Sequence, residues 1–235
     1  MYPWRLRSLL PPTEVPVLLR SLSGLVLVLA VASSTVRSDN SRRSAVDIEA
    51  TVQMLRVAME ARISLGLNQR SGLTVPAAHC RHAAGGCERR LSEFARYLVE
   101  AGDRHGVDPW LMAAMAYRES GFNPFAMGSL GELGILQIHP AGPTAMSVRF
   151  MRDEWYRRRC RREPGACQEE VVDHAARLLS KTLQQCGGDV NDALGAYNTG
   201  RCGGNDRYSK RILKDRGLLL QSVGLPAPAP GTRPS

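Results

Sequence analysis

The chain of 235 residues carries 31 Lys and Arg against 22 Asp and Glu, a net charge of +9, with 43% hydrophobic and only 6% aromatic residues. This length allows one domain with a real core plus flanking segments, and the apolar content excludes wholesale disorder. Few aromatics beside abundant Ala, Leu and Arg favour helices over sheets, and the charge suits an anionic polymer (cell wall, nucleic acid or acidic lipid) without choosing among them.

Residues 1–32 read as a signal peptide. Arg5, Arg7 and Arg20 supply a positive leader, Leu22 to Ala32 form an apolar run, and Ala30-Val31-Ala32 makes an A-x-A cleavage site. The run is shorter than the roughly 20 apolar residues that span a bilayer, so cleavage is expected, with no stable membrane insertion afterwards. Cleavage would remove three arginines and one glutamate, leaving +7 of the +9. Six cysteines follow, Cys80, Cys87, Cys160, Cys167, Cys186 and Cys202. An even count behind a leader points to disulfides in an oxidising compartment, periplasmic or extracellular. Sequence leaves connectivity open, and sequential pairing is the expectation: Cys80–Cys87, Cys160–Cys167 and Cys186–Cys202. A metal set of His79, Cys80, His82 and Cys87 lacks the cysteine spacing of structural zinc sites, so no metal or other cofactor is expected.

Past a polar stretch, Ser33 to Arg43, a helix is predicted from Ser44, which forms a capping box with Asp47. Ile48, Val52, Leu55, Met59 and Ile63 recur along it at helical spacing, and Gly66 stops it. It reads as an accessory helix packed on the domain. A loop from Asn68 to Cys87 precedes a helix through Leu91, Phe94, Ala95 and Leu98, ending near Gly102 or Gly106. Asp108-Pro109 is a helix start, with Asp as N-cap and Pro in the first position, and Gly121 and Pro124 end that helix after Glu119. Residues 121–142 read as an ordered loop with a short helix or strand around Ile135 to Ile138. The basic stretch Arg157 to Arg162 reads as a solvated loop. Val171, Val172, Ala175, Leu178, Leu179 and Leu183 mark another helix, stopped at Gly187-Gly188. Asp189 starts the next, through Ala193 to Asn198, ended by Gly200. Ile212 and Leu213 lie on a last short helix before a Pro- and Ala-rich tail from Pro226. The expected organisation is a signal peptide (1–32), a linker with accessory helix (33–90), one mainly α domain (91–216) and a flexible tail (217–235).

The chemistry concentrates around Glu119. It sits at the C-terminal end of an apolar helix, where the helix dipole and low polarity both oppose ionisation. A carboxyl held protonated near neutral pH is what a general acid needs. The plainer alternative is a surface glutamate paired with Arg118.

The pattern around Glu119 weighs against that alternative. Glu119, Ser120, Phe122, Pro124, Ala126, Gly131, Gly134, Gln137 and Pro140 stand in the register of a known signature, and Ala196-Tyr197-Asn198-Thr199-Gly200 supplies a second element. Over roughly Leu91 to Arg216 the chain resembles the soluble lytic transglycosylase domain family, which is related to goose-type lysozyme. The resemblance implies a lysozyme-like helical fold with little or no β-sheet, and cleavage of the β-1,4 bond between N-acetylmuramic acid and N-acetylglucosamine. It implies Glu119 as the single catalytic acid and base, closing a 1,6-anhydro ring on the product. It further implies that Tyr197 hydrogen-bonds or orients Glu119, that Gln137 contacts the sugar's amide groups, and that Ser120 supports the glutamate or the glycan. Asn198 either anchors the site or caps its helix. Phe122 and Pro124 read as packing, and His139 and His174 as histidines without a catalytic role.

Three departures stand out. Gly128 replaces a common Ser, Ile135-Leu136 replaces Leu-Met, and Glu132 replaces the usual Ala. The aliphatic changes are near-isosteric. Glu132 is either a second carboxylate able to activate water or a structural residue in an ion pair or turn cap, the reading favoured here. The partner implied is peptidoglycan glycan strands, with a cell-envelope assembly partner left open and nucleic acid disfavoured for want of a binding module. Two alternatives remain: a goose-type lysozyme-like hydrolase of the same bond, and a non-catalytic peptidoglycan-binding protein.

Overall fold

The computed structural model describes residues 46–63, 78–80, 83–142 and 144–227. The signal peptide, the Ser44 cap, the Gly66 stop, His82 and the end of the tail lie outside the described residues. Among those described, the secondary structure is helical, with no named strand. In chain order the helices are α1 (residues 46–63), α2 (Gly86–His105), α3 (Pro109–Ser120), α4 (Arg149–Arg152), α5 (Glu154–Cys160), α6 (Glu169–Gln185), α7 (Val190–Thr199) and α8 (Asp206–Ser222).

α3 is the central helix. Every residue from Trp110 to Ala116 is buried, so it has no polar face along that stretch. Its start is fixed as the sequence predicts: Asp108 accepts from the Trp110 N–H at 2.9 Å, Pro109 follows, and Gly121 closes the other end in the left-handed region. Around it, α2 contributes Leu91, Phe94, Ala95 and Leu98, α6 contributes Val171, Val172, Ala175 and Leu179, and α1 contributes Val52, Leu55, Ala58 and Met59. The α1 stripe read from the sequence is the face that packs, and α1 is also tied down by ion pairs from Arg96 to Glu49 and from Arg62 to Asp215.

Three elements differ from expectation. The basic stretch from Arg157 is not a solvated loop: Asp153 accepts from the Tyr156 N–H and starts α5, which takes in Arg157, Arg158 and Arg159. The last helix is long rather than short. Asn205 accepts from the Tyr208 N–H to begin α8, which runs to Ser222 with Leu219 and Leu220 buried, so residues 217–222 are packed helix and not tail. The loop 121–142 contains isolated antiparallel bridges, Met127 with Leu133 and Leu133 with Ile138, in place of a helix or strand around Ile135.

The three disulfides pair sequentially, Cys80–Cys87, Cys160–Cys167 and Cys186–Cys202. The first pairing takes Cys80 and Cys87 out of any ligand set. Arg90, 1% exposed, joins the first two disulfide loops by donating to the carbonyls of Pro164, Glu163 and His79.

Asp215 on α8 is 1% exposed and accepts from Arg62 at 2.7 Å and from Arg118. Removing one partner of a buried pair leaves charge uncompensated, at about 3–5 kcal/mol. Replacing both arginines (Arg62→Met with Arg118→Met) strands the buried Asp215 carboxylate and is therefore expected to lose about 3 kcal/mol of stability, measured by urea unfolding, whereas removing the exposed Glu154 partner of Arg158 should change stability by less than about 1 kcal/mol.

Candidate active site

Glu119 lies in the last turn of α3, partly buried. The plain ion pair with Arg118 is not made, because Arg118 turns to Asp215. The residue that holds the carboxyl is Tyr208, whose hydroxyl donates to Glu119 Oε1 at 2.6 Å. Burial raises the Glu119 pKa above its ordinary value, the Tyr208 hydrogen bond and the charge of Arg118 pull it back, and the negative charge of Glu132 adds to the rise. Burial and the neighbouring glutamate together push the Tyr208 phenol far above its usual range, so it remains a proton donor in this bond. The net effect is a carboxyl that holds its proton more tightly than an ordinary glutamate.

Tyr197 is close enough to feel the charge of Glu119, yet its hydroxyl donates to the Leu136 carbonyl at 3.2 Å rather than to the carboxyl. Of the two roles expected of Tyr197, to hydrogen-bond Glu119 or to orient it, the direct hydrogen bond is made by Tyr208 instead. Tyr197 instead ties α7 to the loop that carries Gln137. Ser120 makes a similar tie: its Oγ lies 3.0 Å from the Ala116 carbonyl and 2.9 Å from that of Ile135, joining the end of α3 to the same loop.

Gln137 is held within the loop. Its Nε2 donates to the carbonyls of Ala126 at 3.1 Å and Gly134 at 2.9 Å, and its backbone sits at φ 47°, a left-handed conformation that a non-glycine residue adopts only where its surroundings enforce it. Gly134, at φ 81°, backs onto α6, where a Cβ would meet Gln168 Oε1 at 2.8 Å and Val171 at 2.9 Å. The buried Gln168 then accepts from the Ile135 N–H at 2.9 Å, which fixes the loop against α6. Asn198 is apart from this group: exposed near the end of α7, it accepts from Asn205 Nδ2 at 2.8 Å, while Gly200 caps the helix. His139 is exposed and His174 buried, neither bonded to Glu119.

Glu132 and Gly128 form a coupled pair. The Gly128 N–H donates to the Glu132 carbonyl at 2.9 Å, and the Glu132 carboxylate folds back to accept from the Leu130 N–H at 3.0 Å. A Cβ on Gly128 would lie 2.2 Å from Glu132 Oε2 and 2.9 Å from Gln137 Oε1. Glu132 therefore occupies the space that a side chain at 128 would take, beside Gln137 and within electrostatic reach of Glu119. It caps a turn, as one structural reading expects, and among the described residues it makes no ion pair.

Tyr208 is the residue that sequence reasoning misses. The signal is present: Tyr208, Ile212, Asp215 and Leu219 follow at helical spacing behind Asn205, which has a cap's side chain.

The chain resembles known proteins over this region. Residues 96–215 match the family model described as Transglycosylase SLT domain. Membrane-bound lytic murein transglycosylase F of Desulfosudis oleivorans is 29% identical over 136 residues, 55% of this chain and 26% of that protein. Transglycosylase of Enterobacteria phage PRD1 is 28% identical over 140 residues, 57% of this chain and 47% of the relative. Protein IpgF of Shigella sonnei is 30% identical over 112 residues, 43% of this chain and 63% of the relative. The chain thus spans about a quarter to under two thirds of the length of these curated relatives.

The opposing influences on Glu119 give a signed test by carbon-detected NMR titration of its carboxyl. Wild-type Glu119 is expected to titrate above the ordinary value of 4.5. Tyr208→Phe removes a bond to the ionised form and should move the midpoint up, while Glu132→Ala removes a like charge and should move it down. Because the folded protein binds this proton more tightly than the unfolded chain, Glu119 favours folding at low pH and that contribution is lost as pH rises through its folded pKa.

Proposed function

The chain belongs to the transglycosylase SLT domain family, and on that footing we propose that it is a peptidoglycan lytic transglycosylase that leaves 1,6-anhydro-N-acetylmuramic acid ends. The observation that carries this reading is the Glu119 carboxyl itself: partly buried, biased toward its protonated form, and held by Tyr208 at 2.6 Å. In the forward step the Glu119 proton passes to the glycosidic oxygen as the bond from that oxygen to the anomeric carbon of N-acetylmuramic acid breaks, with the substrate's acetamido group assisting at that carbon. The C6 hydroxyl oxygen of the same sugar then bonds to the anomeric carbon, and its proton returns to the Glu119 carboxylate. The acid is regenerated and no water is consumed. Two-carboxylate glycosidases use their second group as a nucleophile or as a base for water. Here the attacking groups belong to the substrate, so one carboxyl serves both proton transfers.

The local geometry supports distinct parts for the neighbours. Tyr208 fixes one carboxyl oxygen and leaves the other for the substrate. Ser120 and Tyr197 hold the loop from Ile135 to Gln137 at the end of α3 through its carbonyls. Gln137 Oε1, whose amide nitrogen is already committed to two carbonyls, is the part of that side chain suited to accept from a sugar's amide N–H. Action on cell wall fits the signal-like leader, and three disulfides suit the oxidising side of the envelope.

A second reading, hydrolysis of the same bond, draws on Glu132, a carboxylate near Glu119 without a counter-ion among the described residues. In it Glu132 takes a proton from water as the water oxygen bonds to the anomeric carbon.

Mass spectrometry of digested sacculi decides between them. The expected products are anhydro-muropeptides, one water lighter than reducing-end products, in wild type and in Glu132→Ala alike. A reducing-end fraction that disappears in Glu132→Ala would give Glu132 the water-activating role. Glu119→Gln should lower turnover by about a thousandfold, within the range general acid–base catalysis supplies, while still sedimenting with sacculi. Full activity in that variant would remove Glu119 from the chemistry.

A further inference from the structure

The turn from Met127 to Leu133 has two faces. On one, Gly128 and Glu132 lie against Gln137 and near Glu119. On the other, Met127 and Leu133, the bridged pair, line a separate pocket of about 290 Å³. Its aromatic wall is Phe125 and Phe150, whose ring centroids are 6.3 Å apart, and its far side is the basic helix α5 with Glu154, Arg157 and Arg158, followed by Arg161.

The charge of this pocket is unbalanced. Between residues 149 and 162 the sequence has seven arginines against Asp153 and Glu154. Of the three arginines in the pocket, Arg158 alone has an acidic partner among the described residues, Glu154 at 2.7 Å. Arg157 is spent on carbonyls, donating to Phe150 at 2.8 Å and Met151 at 2.9 Å, which fixes its position without neutralising it. Arg161 lies over the Phe125 ring at 5.3 Å. An aromatic ring orients a guanidinium and leaves its N–H edge open to a carboxylate. The wall opposite is apolar and accessible, with Met127 74% exposed.

A ligand for such a place is short and extended, with small apolar groups and free carboxylates. We propose that this pocket binds the acidic peptide stem of peptidoglycan, an inference that rests on the cell-wall reading of the neighbouring site. The stems branch from the N-acetylmuramic acid units and carry alanine methyl groups and free carboxylates. A glycan strand at Glu119 would lie on one face of the Met127–Leu133 turn, and a stem crossing the turn would reach the arginines on the other. Arg158 and Arg161 hold the stem carboxylates, and Phe125, Met127 and Leu133 receive its methyl groups.

Isothermal titration of the full chain with the synthetic stem peptide L-alanyl-γ-D-glutamyl-diaminopimelic acid tests the assignment without any turnover. Wild type is expected to bind it, more weakly as salt rises. Arg158→Gln with Arg161→Gln should weaken binding at least tenfold, Arg161→Lys should retain most of it, and a peptide with its carboxylates converted to amides should bind at least tenfold more weakly than the acid. The exposed Arg158–Glu154 pair and the exposed Arg161 stack on Phe125 each contribute no more than about 1 kcal/mol, so the double variant is expected to stay folded with a melt only a few degrees below wild type. Absence of binding at millimolar peptide, equal binding of the amidated peptide, or equal affinity in the double variant would each overturn the proposal. Because sacculus digestion measures glycan cleavage separately, failure here and failure of the transglycosylase reading are distinct results.

Discussion

The pairing of α3 with α8 is the constraint on which the site depends. Three side chains of α8, spread over about two turns, act on α3 and its cap: Tyr208 on the Glu119 carboxyl, Asp215 on Arg118, and Arg216 on the N-cap Asp108. The two ends and the acid of α3 are thereby referenced to one partner helix. Asp215 also reaches Arg62, so α1 joins the same network. Burying a carboxylate is costly unless its partners are in place, and a shift of α8 by one residue would carry Asp215 away from both guanidiniums. The network thus selects one register, and that register is the one that brings the Tyr208 hydroxyl to Glu119. The Asn198–Asn205 hydrogen bond ties the end of α7 to the start of α8, and the Cys186–Cys202 disulfide ties the turn between them to the end of α6.

At Glu119 itself the influences are opposed rather than additive. Burial and Glu132 favour the neutral acid, and Tyr208 and Arg118 favour the carboxylate. A residue that must give up a proton and take one back is served by such opposition, because neither state is locked in. Arg118 would tip the balance if it paired directly with its neighbour. The pull of Asp215 on Arg118 prevents that, so an ion pair to a buried carboxylate also tunes the site.

Much of this is legible in the sequence, for identifiable reasons. Helices with one buried stripe announce themselves, as α1 and α6 do, and Asp108-Pro109 with Gly121 brackets α3 because caps are local chemistry. Glu119 stands out through its register with Gln137 and Tyr197. What stays hidden depends on partners distant in sequence. α8 has a polar sequence, with Lys210, Arg211, Lys214 and Arg216 set among its apolar residues, so its stripe reads as a fragment and Tyr208 escapes notice. The arginines from 157 to 161 look like a solvated loop because the groups that hold them are the carbonyls of Phe150 and Met151 and the ring of Phe125, which no periodicity reveals.

Two of the three departures read from the sequence, glycine at 128 and glutamate at 132, look independent when positions are taken singly. The structure makes them one change. The turn hydrogen bond from Gly128 to Glu132 sets the residues opposite each other, and the 2.2 Å between a notional Cβ at 128 and Glu132 Oε2 means that a serine or alanine there would force this carboxylate out. Once glycine opens the space, the glutamate folds into it and is retained by the Leu130 N–H. A second negative charge then stands beside Gln137 and adds to the proton affinity of Glu119. That contribution arises from the 127–133 turn and not from α3, so it follows any movement of the turn. The same turn walls the arginine pocket on its other face.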